Sequence, residues 1–351
     1  MSSPQPRATV TMSDVAKAAQ VSLGTVSNVL NHPERVRSEV RERVLATITR
    51  LGYVRNSAAR TLAAGGSNTV GYVMVDIANS LYTDVARGAE DVTSSSGMYL
   101  VAANAGVRGG TPRQAAYIDH FIEDQLQGIL LAVFDNDVSG AERIRRAGGR
   151  VVLLDVATDV DVDACTVRID YELSGYLAAE HLLRQGRRRL AFVGGLREIH
   201  AVARRLAGAE RAVAEHGGAS IEFLPSGDLQ AEDGRAIAHR IASRSRAEAP
   251  DGIVAAADLV ATGLMQALLP EGFRFPQDIA LIACDDNQSG RDNAVPLSTI
   301  DLPGYAVGQA GMNLLLDEIR NPEHVHRRVV LAPGLSARES SVGRERVGRE
   351  R

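Results

Sequence analysis

Short apolar runs, spaced along the chain with helix-period patterns between them, fill residues 69 to about 320. The runs lie at 70–75, 99–103, 128–133, 151–154, 190–194, 252–256 and 279–284. Between them, 84–95, 174–185 and 202–216 place apolar residues three and four apart, the period of a helix buried along one stripe. Apolar strands separated by helices predict parallel sheets covered by helices on both faces. The stretch is too long for one doubly wound sheet, so it predicts two sheets with a cleft between them. Ligands in such folds settle beyond the carboxyl ends of the strands. That rule selects 76–82, Asp155, 194–205, Asp258, Asp285 and Asp286.

The first 55 residues are patterned as three short helices. Ser13 reads as the N-cap of a helix over 14–19, with Asp14 at its positive end. Ser22 reads as the cap of a second helix over 23–31. Val15, Ala16 and Ala19 would then meet Val26, Val29 and Leu30 across a tight Gln20-Val21-Ser22 turn. A third helix starts at Ser38 and contributes Val40, Val44, Ile48 and Leu51 to the same small core. Two such helices crossing steeply fit a helix-turn-helix, although a generic three-helix domain that binds protein shares the pattern. If the unit reads DNA, the start of the second helix enters the major groove. Leu23, Gly24 and Asn28 would face bases there, Asn28 pairing with an adenine edge and Leu23 touching a thymine methyl. Ser22, Thr25, Ser27 and Asn31 have the chemistry for phosphates.

Charge sharpens this division. The chain of 351 residues has a formal net charge of −4, yet residues 1–62 hold nine Lys or Arg against four Asp or Glu. A basic head on an acidic body suits a head that approaches phosphates while the body stays off the duplex. Lys17 is the only lysine and Ala18 follows it, so no Gly-Lys-Ser/Thr phosphate loop exists. Cys165 and Cys284 form neither a disulfide framework nor a metal-ligand spacing and read as small core residues. His324 and His326 lie in a polar connection and read as a solvated pair, so neither metal nor cofactor is expected. The polar N-terminus and the lack of a long apolar run predict a cytoplasmic chain without a membrane span. The doubled Val-Gly-Arg-Glu-Arg at the C-terminus reads as a disordered tail over 341–351.

Five segments together go further than pattern. They are Asp-Val-Ala-Lys-Ala-Ala at 14–19, Val-Ser-x-x-Thr-Val-Ser-x-Val-Leu-Asn at 21–31, Arg-Glu-Arg-Val at 41–44, Leu-Gly-Tyr at 51–53 and Asn-Ser-Ala-Ala-Arg-Thr-Leu at 56–62. At these fixed offsets the chain closely resembles the lactose-repressor (LacI/GalR) family of bacterial transcription regulators. The resemblance is dense in the head and looser out to about residue 340. It implies an α/β architecture: a helix-turn-helix head over 1–55, a hinge helix and linker over 56–66, and two doubly wound subdomains of the periplasmic-binding-protein kind. Their implied limits are 67–170 with 301–327, and 171–300 with 328–340. The resemblance also implies that the hinge becomes a helix when two subunits meet on an operator, with Leu62 wedged into the minor groove. A helix that short is marginal alone, and an inserted leucine is repaid by the contacts of bent DNA. Arg55 stands where the family usually has proline, offering a phosphate contact and a looser helix start.

For the pocket, the resemblance implies Leu81 and Tyr82 as its wall after the first strand and Asp285 as the group that bonds effector hydroxyls or ring nitrogens. Leu229 matches a further wall position. Asp258 matches an aspartate ending a strand, with an N-cap of the next helix as the competing reading. The stretch 195–205 departs from the family: Ala203 occupies the position of the arginine in sugar-responsive members, Ile199 that of the arginine in purine-responsive ones, and Arg205 belongs to the common core pattern. Arg197 or Arg204 would have to reach inward instead. The expected function is a ligand-responsive DNA-binding regulator, most often a repressor, acting as a homodimer on a pseudo-palindromic operator with a sugar, nucleoside or related metabolite as effector. An enzyme on the same body lacks a phosphate loop, a Gly-x-Ser-x-Gly elbow and a dinucleotide fingerprint in the sequence. A periplasmic carrier would share the body and have no use for the head.

Overall fold

A computed structural model describes residues 10–54, 67–106, 110–133, 136–157, 160–227, 229–286 and 288–342, and the chain divides after Ser67 into two compact units. The first holds α1 (Met12–Ala19), α2 (Leu23–Asn31) and α3 (Ser38–Leu51), with a 3₁₀ turn over Pro33–Arg35. Thr11, and not Ser13, caps α1. Its hydroxyl accepts from the backbone of Asp14 while the Asp14 carboxylate accepts from the backbone of Thr11. This reciprocal box satisfies two orphan donors, which Ser13 inside the first turn has no way to do. Ser22 caps α2 through Thr25 N at 3.1 Å. Gly52, at φ 66°, ends α3 in the left-handed region where a Cβ is disfavoured. Val15, Val26 and Val44 are wholly buried where the helices meet.

The second unit contains two six-stranded sheets. The first runs β11 (Arg328–Leu331), β5 (Cys165–Ile169), β4 (Arg150–Leu154), β3 (Gly128–Ala132), β1 (Thr69–Met74), β2 (Tyr99–Asn104), all parallel. The second runs β12 (Gly334–Ser336), β10 (Ser298–Asp301), β9 (Ala280–Cys284), β8 (Gly252–Ala255), β6 (Arg189–Val193), β7 (Ser220–Leu224), with only β12 antiparallel. Central strands such as Gly128–Ala132 and Ala280–Cys284 are buried along their whole length, which is why they read as unbroken apolar runs.

The chain passes between the lobes after Ile169, between Asp301 and Gly304, and between Leu331 and Gly334. The sequence reading put the third passage at 328. Instead, Arg328–Leu331 pairs in register with Thr166–Ile169, so that strand completes the first sheet before the chain leaves. The expected tail over 341–351 begins with residues that are part of the fold, and 343–351 lie outside the described residues. Ser341 is buried, its Oγ 2.6 Å from that of Ser298 and 2.7 Å from His181 Nε2, so it belongs to the second lobe.

Helices cover both sheets, and glycines let key pairs touch backbone to backbone. On the first lobe α4 (Ser80–Ser95) packs on α12 (Gly304–Arg320), where a Cβ on Gly88 would overlap the Tyr305 carbonyl and one on Gly308 that of Val85. On the second, α7 (Tyr171–Arg184) packs on α8 (His200–His216). There a Cβ on Gly175 would overlap the Arg205 carbonyl and one on Gly208 that of Glu172.

Candidate functional site

The start of α2 is the candidate reading surface. Leu23 is 53% exposed, too much for a core side chain, and Ser22, Gly24, Asn28 and Asn31 are exposed beside it. Thr25 and Ser27 are half-buried. The hydroxyls of Ser22 and Thr25 lie 2.9 Å apart, and Asn31 Nδ2 donates to Ser27 Oγ at 3.2 Å, which holds these polar groups along one face. Arg55 and Leu62 lie outside the described residues, as does the hinge.

The second site lies where both sheets present their carboxyl ends. Asp155 follows β4 at φ 66°, and Asp285 follows β9 at φ 140°. Neither is glycine, and non-glycine residues held at such angles cluster at functional sites. Tyr171 OH donates to Asp155 Oδ2 at 2.7 Å. The Tyr171 ring in turn lies 4.9 Å beneath the Arg205 guanidinium. Arg205 Nη1 donates to the Ala256 carbonyl at 2.6 Å, and Nη2 approaches Asp285 Oδ1 at 3.4 Å. Thr299 Oγ1 donates to Asp258 Oδ1 at 3.1 Å. A continuous polar chain thus crosses from the first lobe, through Asp155 and Tyr171, to Arg205 and Asp285 of the second.

Its electrostatics follow from burial. Desolvation lifts the Asp285 carboxyl to about 7, opposed by the Arg205 charge and reinforced by Asp258. Burial also raises Asp155, against the Tyr171 hydrogen bond and the charges of His200 and Arg205. Burial, helped by the Asp155 charge, pushes the phenols of Tyr82 and Tyr171 upward, so both stay hydrogen-bond donors at neutral pH. Tyr72, Leu81, Tyr82 and Val85 wall a small cavity against Asp155 and Tyr171. Tyr72 OH is buried there without a hydrogen-bond partner among the described residues. An orphaned buried hydroxyl in a cavity is a place for a ligand's polar atom.

The fold brings some of the residues selected from sequence together and keeps others apart. Leu81, Tyr82, Asp155 and Asp285 meet at the cleft. Arg197 and Arg204 do not reach it. Arg197 lies over the Phe223 ring and toward Glu210, and Arg204 pairs with Glu172 on the surface. Successive helical residues point about 100° apart, so Arg205 points inward where Arg204 points out, and it is 4% exposed. Ile199 precedes the first turn of α8 and packs into the core. Leu229 packs against two of the body's hydrophobic clusters, outside the cavity wall. Asp258 is the first residue of α10 (Asp258–Leu268) and does not cap it; its carboxylate is buried beside Asp285. Tyr72 and Tyr171 carry no signal that single-sequence reasoning could find, because Tyr72 lies in an apolar run that reads as core and Tyr171, between Asp170 and Glu172, reads as an ordinary helix start.

A helix-turn-helix head joined to a two-lobed receptor with a buried polar pocket defines a DNA-binding transcriptional regulator that answers to a small ligand. Residues 11–56 match the model of bacterial regulatory proteins of the lacI family, and residues 179–341 match the periplasmic-binding-protein-like domain. The chain thus carries a lacI-family domain followed by a periplasmic-binding-protein-like domain, and the proteins it is similar to are lacI-type repressors. It is 29% identical to the ribose operon repressor of Haemophilus influenzae over 94% of this chain and 98% of that one. Identity is also 29% to the catabolite control protein A of Priestia megaterium, over 92% and 96%. Among solved structures, a CelR–cellobiose complex matches with TM-score 0.70 and 26% identity, over 95% and 100%. A lac repressor dimer bound to operator shares the fold at TM-score 0.82 and 23% identity, with the same coverage.

Proposed function

We propose that this protein is a repressor that binds a pseudo-palindromic operator as a homodimer, and that a hydroxyl-rich metabolite, a sugar or nucleoside, binds between the lobes and shifts operator affinity. The observation that carries the reading is the Asp155–Tyr171–Arg205–Asp285 chain, because its members come from both lobes. A ligand that bonds Asp155 and Asp285 together favours one arrangement of the lobes, and its differential affinity for the two arrangements is the switch. Carboxylates, a guanidinium and three tyrosines suit hydroxyls and ring edges. A relative in this fold is solved with cellobiose and another with ribose, which supports a sugar. Two heads are required because one α2, with few base-reading side chains, binds weakly and tethering multiplies affinity.

The body acts as a receptor rather than a catalyst. Cys284 lies beside Arg205, but burial pushes its thiol up to about 12, so it is no nucleophile at neutral pH. Among the described residues no helix is long and apolar enough to cross a membrane, and the site of action is the cytoplasm, where the operator is. Footprinting of promoter DNA by the full chain, repeated with a panel of sugars and nucleosides, is the test. Protection of a palindromic site that one compound abolishes or creates supports the reading. No protected site at physiological salt, with or without compounds, overturns it.

A further inference from the structure

At the opposite ends of the first sheet's strands, away from the cleft, the fold assembles a second polar cluster. Glu318 comes from the last turns of α12, and His324 and His326 from the connection that leads into β11. One potential ligand atom from each lies within 4.8 Å of the others. The solvated pair expected from sequence is therefore not what forms: the His324 side chain is 5% exposed and that of Glu318 8%.

Three details prepare these residues to hold a cation. His324 Nδ1 lies 2.8 Å from Asp317 Oδ2, and His326 Nδ1 lies 3.0 Å from Asp163 Oδ1. A ring nitrogen facing a carboxylate carries the proton, which makes Nε2 of both rings the acceptor atom a metal would use, engaged here by the Cys165 sulfur at His324 and by Arg145 at His326. Carboxylate-oriented histidines of this kind are the usual surroundings of bound zinc. Second, Glu318 Oε2 is buried without a hydrogen-bond partner among the described residues, an uncompensated acceptor inside the cluster. Third, a cation already sits between two of the ligands. Arg145 Nη2 is 2.7 Å from His326 Nε2 and 3.0 Å from Glu318 Oε1. Arg145 has no acceptor atom, so its donation to His326 Nε2 agrees with the tautomer deduced from Asp163. Arg145 lies on α6 (Ser139–Arg146) and lines an open cavity of about 410 Å³, so its side chain has room to withdraw.

We infer that Glu318, His324 and His326 form a binding site for a divalent ion of the zinc class, with water in the fourth position and Arg145 as the placeholder that the ion displaces. Two imidazoles and one carboxylate are a zinc ligand set, and three protein ligands leave the tetrahedron one open corner. Cys165 Sγ is 3.2 Å from His324 Nε2 and accepts from Arg327 N at 3.2 Å. These two contacts hold the His324 ring against the start of β5. Bound zinc would pin the 321–327 connection to the first lobe just before the chain's last passage between lobes.

The test is zinc titration of untagged, chelator-stripped full-length protein, followed by calorimetry and by thermal melting. Wild type should take up one tight equivalent per chain and melt at a higher temperature with it. His324→Gln/His326→Gln should lose both effects, and His326→Gln alone, at a quarter-exposed position, guards against a folding failure. Asp317→Asn should weaken binding about 10- to 100-fold through loss of the orienting carboxylate. Arg145→Gln should bind more tightly, since the competing charge is gone. Equal zinc uptake by wild type and the double variant, or weaker binding by Arg145→Gln, overturns the assignment.

Discussion

Arg205 shows how one side chain acquires a role its neighbours lack. Its guanidinium is buried against the Ala256 carbonyl, the Tyr171 ring and Asp285, whereas Arg204 and Arg197 make half-exposed pairs. Truncating one partner of a buried charge cluster leaves the others uncompensated and costs about 3–5 kcal/mol. Exposed pairs contribute about 0–1 kcal/mol. Arg205→Leu should therefore lower unfolding stability severely in denaturant titrations, with Arg204→Leu and Arg197→Leu close to wild type. Asp285 makes a prediction of its own. Its carboxyl titrates higher in the folded chain, near 7, than in the unfolded one, so the folded state binds this proton more tightly. The stabilising contribution is complete below the unfolded value of about 4 and is lost as pH rises through the folded one. Asp285→Asn should flatten the fall in stability between about pH 4 and about pH 7, and should leave DNA binding intact while removing the effector response. An unchanged response in footprinting would take Asp285 out of the pocket.

Among the elements, the helix pairs are the strictest. The contact between α7 and α8 rests on Gly175 and Gly208, each facing a carbonyl oxygen of the other helix with no room for a methyl group. Gly208→Ala should destabilise the body by about 1–3 kcal/mol or more and displace Arg205, so weakened effector binding should accompany the lower melting temperature. In the head, Thr11→Ala should remove the capping box and about 1 kcal/mol of stability. Ser22 and the spacing of Val15, Val26 and Val44 are local signals, and they located the head helices. Central strands announced themselves as apolar runs. Strands β5, β7, β10, β11 and β12 did not, because residues such as Glu222, Arg168 and Thr299 break the pattern and only pairing to a neighbour makes them strands. Which of two adjacent arginines turns inward, and which residues surround His324, depends on packing between segments distant in sequence, where periodicity carries no information.

For the whole molecule, charge divides along the same line as architecture. The basic head and acidic body make operator affinity a counterion effect: it should fall about a thousandfold or more between about 50 and about 200 mM salt if six or more phosphates are neutralised. Fluorescence anisotropy on a labelled operator at graded salt would measure this slope, and a flat response would remove phosphate neutralisation as the main source of affinity.

The interlocked glycines carry a consequence for signalling. Because Gly88, Gly175, Gly208 and Gly308 seat one helix backbone directly on the next, these two helix pairs leave a ligand little to compress or dilate. A metabolite bound between the lobes would then act by pivoting two stiff bodies about the three passages of chain that join them.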